Sequence, residues 1–153
     1  MTSTSPNRHS VHARIRSRRS LVQAYYQWLL TQQPVSDIIK EFKADRTELQ
    51  KADIDYFERV LIGMVHSRLD LDKELKPFLD RPDHELDPVE NAVLHLGSYE
   101  LMYMQEVPYR VVINEAVDLA RMFGADQSHK YINGVLDKFA HKHRAAELTV
   151  RGK

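Results

Sequence analysis

The chain has 153 residues, 42% of them hydrophobic, with five glycines, six prolines and no cysteine. That length can bury a core without metal or disulfide staples, and the lack of cysteine excludes a disulfide framework, a thiolate nucleophile and a Cys-ligated zinc. The formal net charge is zero but divided: Arg8, Arg14, Arg16, Arg18 and Arg19 all precede the first acid, Asp37, leaving 17 basic against 22 acidic residues in the remainder.

Residues 1–10 lack periodicity and read as a mobile tail, followed by one helical domain over 11–143 and a C-terminal tail over 144–153. From residue 11 to about 33, Ile15, Val22, Tyr26 and Leu29 recur at helical spacing, with Leu21, Tyr25 and Trp28 as a second stripe beside them. Pro34 ends this helix, and 35–42 predicts a short second one with Ile38, Ile39 and Phe42 inward. The polar stretch 43–51 reads as a loop. Ile54, Phe57, Leu61, Met64 and Val65 mark a long helix to about residue 71, where Pro77 and then Pro82 interrupt a shorter one around 75–79.

Asp87, Pro88 and Glu90 form a start signal: an acid at the N-cap, proline at the first helical position and glutamate at the third. The helix they open runs to about residue 104, with Val89, Ala92, Val93, Leu96, Tyr99 and Tyr103 to one side. Pro108 opens another, carrying Val112, Ile113, Ala116, Val117, Ala120 and Phe123 inward, with Gly124 as a left-handed stop. Asp126 or Ser128 then caps a last helix built on Ile132, Val135, Leu136 and Phe139. No stretch alternates with period two, so the expected class is all-α, with about seven helices and no sheet.

There is no GxGxxG, GxxxxGK[ST] or HExxH motif, which removes the footing for nucleotide and zinc-peptidase chemistry. His9 with His12 and His141 with His143 lack a partnering carboxylate pattern, so no metal is expected. His66 and His95 read as packed or surface histidines. Glu115 interrupts the apolar run VVINEAV and invites a general acid or base role. With no second catalytic group at helical spacing, a hydrogen bond to a neighbouring element explains it better, and no catalysis is expected. Gly97 and Gly134 sit inside helices at a cost of about 1 kcal/mol each, which close helix packing would explain.

The arginines are harder to dismiss. On a helix, Arg18 and Arg19 border the stripe through Ile15 and Val22, while Arg14 and Arg16 point to either flank. Four cations without a nearby acid repel one another and oppose the helix dipole at an N-terminus. Polyanion binding would offset this, since the guanidinium fork suits phosphate and neighbouring tyrosines can stack on bases. The alternatives are a solvated basic face or a cleaved basic targeting peptide. Cleavage would delete Val22, Trp28 and Leu29, which the helix needs for its core.

Three segments, RSRRSLVQAYYQWLL, DPVENAVLHLGSYEL and VPYRVVINEAVDLARMFGADQSHKYINGVLDKFA, resemble in order the motifs of the NusB family of transcription antitermination factors, over about residues 14–140. The resemblance implies two packed helical subdomains, a cytoplasmic location, and a non-catalytic adaptor without cofactor, metal or membrane. In this family the adaptor pairs with a small-subunit ribosomal protein, NusE. The pair binds boxA-type single-stranded RNA in the RNA polymerase antitermination complex and supports ribosomal RNA transcription.

By resemblance Arg14, Arg16, Arg18 and Arg19 contact RNA, as do Lys130 and Tyr131, with Gln127 close by and Tyr26 and Phe78 on the same face. Glu90 and Glu100 on the central helix are the acidic candidates for the protein partner. The family often has an acid at the position of Gln127 and phenylalanine at that of Tyr131; loss of a carboxylate near phosphates favours RNA, and tyrosine keeps the stacking face. The same fold occurs as the RNA-binding N-terminal module of some RNA cytosine methyltransferases. That alternative needs a following α/β catalytic domain, for which this chain has no room.

Overall fold

The two apolar stripes of the first basic segment lie on one helix, α1 (Arg8–Thr31), in the computed structural model, which describes residues 8–45, 47–80 and 86–151. The helix begins earlier than the sequence suggests, taking in residues 8–10 of the expected tail. It stops where Gln32 turns left-handed (φ 56°) ahead of Pro34, which has no N–H to continue the ladder. Then follow α2 (Val35–Asp45), a 3-10 turn (Thr47–Lys51), α3 (Ile54–His66), α4 (Arg68–Leu75) and a second 3-10 turn (Lys76–Phe78). The chain continues with α5 (Pro88–Tyr103), α6 (Tyr109–Phe123), α7 (Ser128–His143) and α8 (Ala145–Arg151). The class is all-α as expected, with eight α-helices and no strand among the described residues.

The chain divides into two compact units, Met1–Ile62 and Gly63–Lys153. In the first, Leu21, Val22, Ala24 and Tyr25 of α1 are buried, as are Ile38, Ile39 and Phe42 of α2 and Phe57, Val60 and Leu61 of α3. Phe42 stacks on Phe57 with ring centroids 5.9 Å apart. Trp28, expected in the core with Tyr25, is only half-buried, its ring 5.6 Å from that of Tyr25. The expected loop after α2 is largely the 3-10 turn, which buries Leu49. Asp53 opens α3: its Oδ1 accepts the Tyr56 N–H at 3.1 Å. Ser17 Oγ holds the same residue from α1, donating to Asp53 O at 2.7 Å and accepting from Asp53 N at 2.9 Å.

The second unit is organised around α5, which buries Ala92 through Ser98 without interruption, then Glu100 and Leu101. A helix buried nearly all round is a central one, so the expected single inward face is too narrow; Tyr103, expected inward, is exposed. Its start is the expected capping box: Glu90 N donates to Asp87 Oδ1 at 2.7 Å, and Asp87 N to Glu90 Oε1 at 3.4 Å. Both α6 and α7 pack on α5 and on each other. Close approach explains Gly97, where an added Cβ would fall 2.6 Å from Leu136 Cδ1. Gly134 is different: it faces open space, so close packing is not its reason.

Three further expectations are corrected. The long helix expected to reach residue 71 bends at Ser67 (φ −97°, ψ 9°), although Ser67 N to Gly63 O and Leu71 N to Ser67 O bonds carry the ladder across. Gly124 is extended (φ −91°, ψ 173°), not left-handed; the left-handed residue is Gln127 (φ 73°), at the N-cap of α7. Neither Asp126 nor Ser128 caps that helix, since Ser128 Oγ donates to Glu90 Oε2 at 3.1 Å. Pro82 lies outside the described residues.

The expected C-terminal tail contains α8, tied down by Arg144. This residue is buried, and its guanidinium donates to the carbonyls of Leu101 (2.8 Å), Glu100 (3.1 Å) and Met104 (3.0 Å). These are carbonyls at the end of α5, and the guanidinium adds to the local donors they already have, the Met104 and Val107 N–H groups and the Gln105 amide. Arg144 also pairs with Glu147 at 2.6 Å, and Glu147 accepts the Tyr109 N–H that opens α6 at 3.1 Å. One ion pair therefore closes the end of α5 and the start of α6.

Candidate nucleic-acid interface

The helical angle of 100° per residue separates the four arginines of α1 into different environments. Arg18 points inward: it is 4% exposed, its Nη2 donates to the Tyr56 hydroxyl at 3.4 Å, and its guanidinium lies 5.5 Å from the Tyr56 ring centroid. A side chain so enclosed cannot also grip a phosphate, so the structure moves Arg18 from the binding set to the core. Arg14 lies 4.3 Å from the same ring's centroid and 3.5 Å from Asp53 Oδ2, both charges half-buried. Arg19 reaches Glu48 Oε2 at 3.4 Å in another half-exposed pair. Pairs of this exposure contribute at most about 1 kcal/mol and can be exchanged for a phosphate. Arg16 has no ion-pair partner among the described residues.

The acids missed when α1 was read alone come from across the unit, Glu48 and Asp53 lying 29 and 39 residues from their partners. A shallow cleft of about 450 Å³ opens beside Arg14 and Tyr56, lined also by Asp53, Asp55 and Arg59. Tyr26 is 37% exposed on α1. The first unit thus presents three accessible arginines and an exposed tyrosine on one rigid helix.

In the second unit Gln127 is exposed, Lys130 is exposed and Tyr131 is half-buried, all at the start of α7. The left-handed Gln127 turns the chain so that this first turn follows directly on the α6–α7 corner. Phe78 is not free to stack on both faces: it meets Phe139 edge-on, centroids 5.8 Å apart. Next to Lys130 runs a groove of about 630 Å³ between α6 and α7, lined chiefly by Asn114, Asp118, Arg121, His129, Lys130 and Asn133. Sequence reading gave neither asparagine a binding role, although Asn114 and Arg121 recur at a seven-residue helical interval on the exposed side of α6.

The two carboxylates expected to meet a protein partner are both internal. Glu90 is 5% exposed and is consumed by the capping box and Ser128; Glu100 is 1% exposed. Glu90 holds the start of α5 in place, and neither carboxylate is presented to a surface. Of the two histidines read as packed or surface residues, His66 is exposed and His95 is buried, its Nε2 2.6 Å from Asp72 Oδ1.

The result is an all-helical protein whose two clefts bring cations together with a tyrosine in one and with amides in the other, each beside carboxylates. Among the described residues no group of three or more His, Cys, Asp or Glu side chains could hold a metal ion, and no helix is long and apolar enough to cross a membrane. A family model described as the NusB family matches residues 15–141, and the chain belongs to that family. Among its relatives, the transcription antitermination protein NusB of Alcanivorax borkumensis is 49% identical over 139 residues, covering 91% of this chain and 92% of that one. The NusB of Idiomarina loihiensis is 50% identical over 126 residues, with 82% and 90% covered. The solved T. maritima NusB superposes with a TM-score of 0.76 at 25% identity, covering 87% of this chain and 94% of that chain. A NusB solved with NusE and dsRNA shares the fold, with a TM-score of 0.71 at 20% identity, covering 86% of this chain and 98% of that chain.

Proposed function

We propose that the chain is a non-catalytic, cytoplasmic adaptor in transcription antitermination that binds boxA-type single-stranded RNA together with the ribosomal protein NusE. In this role it joins the RNA polymerase antitermination complex and supports ribosomal RNA transcription. Membership of the NusB family supports the reading, and the observation that carries it is the set Arg14, Arg16 and Arg19. These accessible cations are held on a helix whose other side is core, so no backbone ordering cost is added on the protein side when a phosphate chain docks.

Lys130 and Tyr131 supply a second contact set, a cation beside an aromatic ring, with Gln127 replacing the family's frequent acid. Phe78 and Tyr26 offer ring surface at lower exposure than a free platform. Partner binding is assigned to surfaces other than the side chains of Glu90 and Glu100. Four phosphate contacts, by Arg14, Arg16, Arg19 and Lys130, predict a slope of log K against log salt of ~ −2.8 on single-stranded RNA. The test is an anisotropy titration of boxA-like RNA at several salt concentrations, with and without NusE. A slope near zero, or binding unaffected by NusE, refutes the reading.

A further inference from the structure

The α6–α7 groove beside Lys130 has a composition that phosphate contact alone does not require. Its volume of about 630 Å³ suits a nucleotide-sized ligand. Two exposed amides, Asn114 and Asn133, line it from opposite helices. An amide both donates and accepts, the pattern that complements a base edge and is wasted on a phosphate, which only accepts. The cations Arg121 and Lys130 supply the phosphate complement.

Among the described residues Arg121 is held only by Asp118, with Nη1 to Oδ1 at 3.7 Å and side chains 61% and 67% exposed, a pair that a ligand can separate at little cost. The Asp118 carboxylate repels phosphate but accepts from an exocyclic amino group, which favours a base in the groove with the sugar-phosphate chain along its rim. Val117 is the one apolar side chain in the lining. Protein-interface centres are depleted in charge, so this lining favours a nucleotide over a peptide.

We infer that the α6–α7 groove is a base-reading subsite that takes one unpaired nucleotide of the bound RNA, with Asn114 and Asn133 on the base edge and Arg121 and Lys130 on the flanking phosphate. The inference rests on the RNA-binding reading above and deepens it. The base contacts lie in a region distinct in sequence from the arginines of α1, so the two can be lost separately.

The experiment is an anisotropy titration of the full chain with boxA-like single-stranded RNA and with a set of the same RNA carrying one abasic nucleotide at each position in turn. Wild type, Asn114→Ala, Asn133→Ala and Arg16→Gln are compared, with helicity checked by circular dichroism; each substituted side chain is solvent-accessible, so folding should persist. The expected result is a loss of about ten-fold at one abasic position for wild type. Asn133→Ala loses about as much on intact RNA and nothing further at that position, while Arg16→Gln still shows the full abasic penalty.

Wild-type affinity for intact RNA in both asparagine variants, with Arg16 dependence retained, overturns the groove assignment and leaves the RNA-binding reading standing. No RNA binding by wild type overturns both. An asparagine variant that keeps its RNA affinity but loses affinity for NusE reassigns the groove to a protein and also overturns the inference.

Discussion

Replacing Arg18 and Arg16 separately by glutamine should split what their adjacency in sequence makes look like one role. Arg18→Gln removes a buried guanidinium that donates to the Tyr56 hydroxyl at 3.4 Å and packs near its ring. Losing the donor to a buried hydroxyl costs about 1–3 kcal/mol, which for a chain of this size lowers the melting temperature by about 2–12 °C. The salt slope of RNA binding should stay at the wild-type value, because a residue 4% exposed releases no counterion.

Arg16→Gln should do the reverse. With no ion-pair partner among the described residues, its loss changes stability by no more than about 0.5 kcal/mol while the slope becomes shallower by about 0.7. Differential scanning calorimetry and the salt-dependent titration read the two quantities independently. An Arg18→Gln protein that melts with the wild type but shows a slope shallower by about 0.7 would refute the assignment of Arg18 to the core.

Three other outcomes follow from the packing. Gly97→Ala forces a methyl group onto Leu136 and should cost about 1–3 kcal/mol, whereas Gly134→Ala meets nothing within 4 Å and should stabilise by up to about 1 kcal/mol; urea denaturation of both separates the cases. Asp87→Ala removes the acceptor of the α5 cap and should cost about 1 kcal/mol, with earlier urea unfolding and no change in m-value. Burial pushes the His143 imidazole below its ordinary pKa of 6.5, against the pull of Glu74 at 3.3 Å and with the push of Lys142. The unfolded chain therefore takes up the proton first: this contribution to stability is intact above pH 6.5 and is lost as pH falls from there through the depressed folded value. His143→Gln should flatten that part of the stability profile in urea melts at stepped pH; an unchanged profile counts against it.

Local signals were readable in the sequence. The α5 start was legible because Asp87 and Glu90 bond to each other within one turn around Pro88, and α7 because Ile132, Val135, Leu136 and Phe139 hold a single face. What escaped depends on partners remote in the chain. Glu90 looks like a surface acid until Ser128, 38 residues later, is brought against it. Arg18 borders an apolar stripe in projection, and only the arrival of Tyr56 on α3 decides that it turns inward. The segment after residue 143 has no long apolar period of its own; its helix is organised by Arg144 and Glu147 reaching back to α5 and α6. The place of the two asparagines in a groove escaped for another reason, since polar residues on an exposed face carry no pattern until a second helix stands beside them.

The reach of Arg144 also has a consequence in time. The nearest of the three carbonyls it caps, that of Met104, lies 40 residues before it. At a synthesis rate of roughly 5–20 residues per second, the end of α5 waits about 2–8 s on the ribosome before the guanidinium that closes it has even been made. During that interval the three carbonyls have only their local donors, the Met104 and Val107 N–H groups and the Gln105 amide, so the clasp between the end of α5 and the start of α6 is one of the last parts of the second unit that can form.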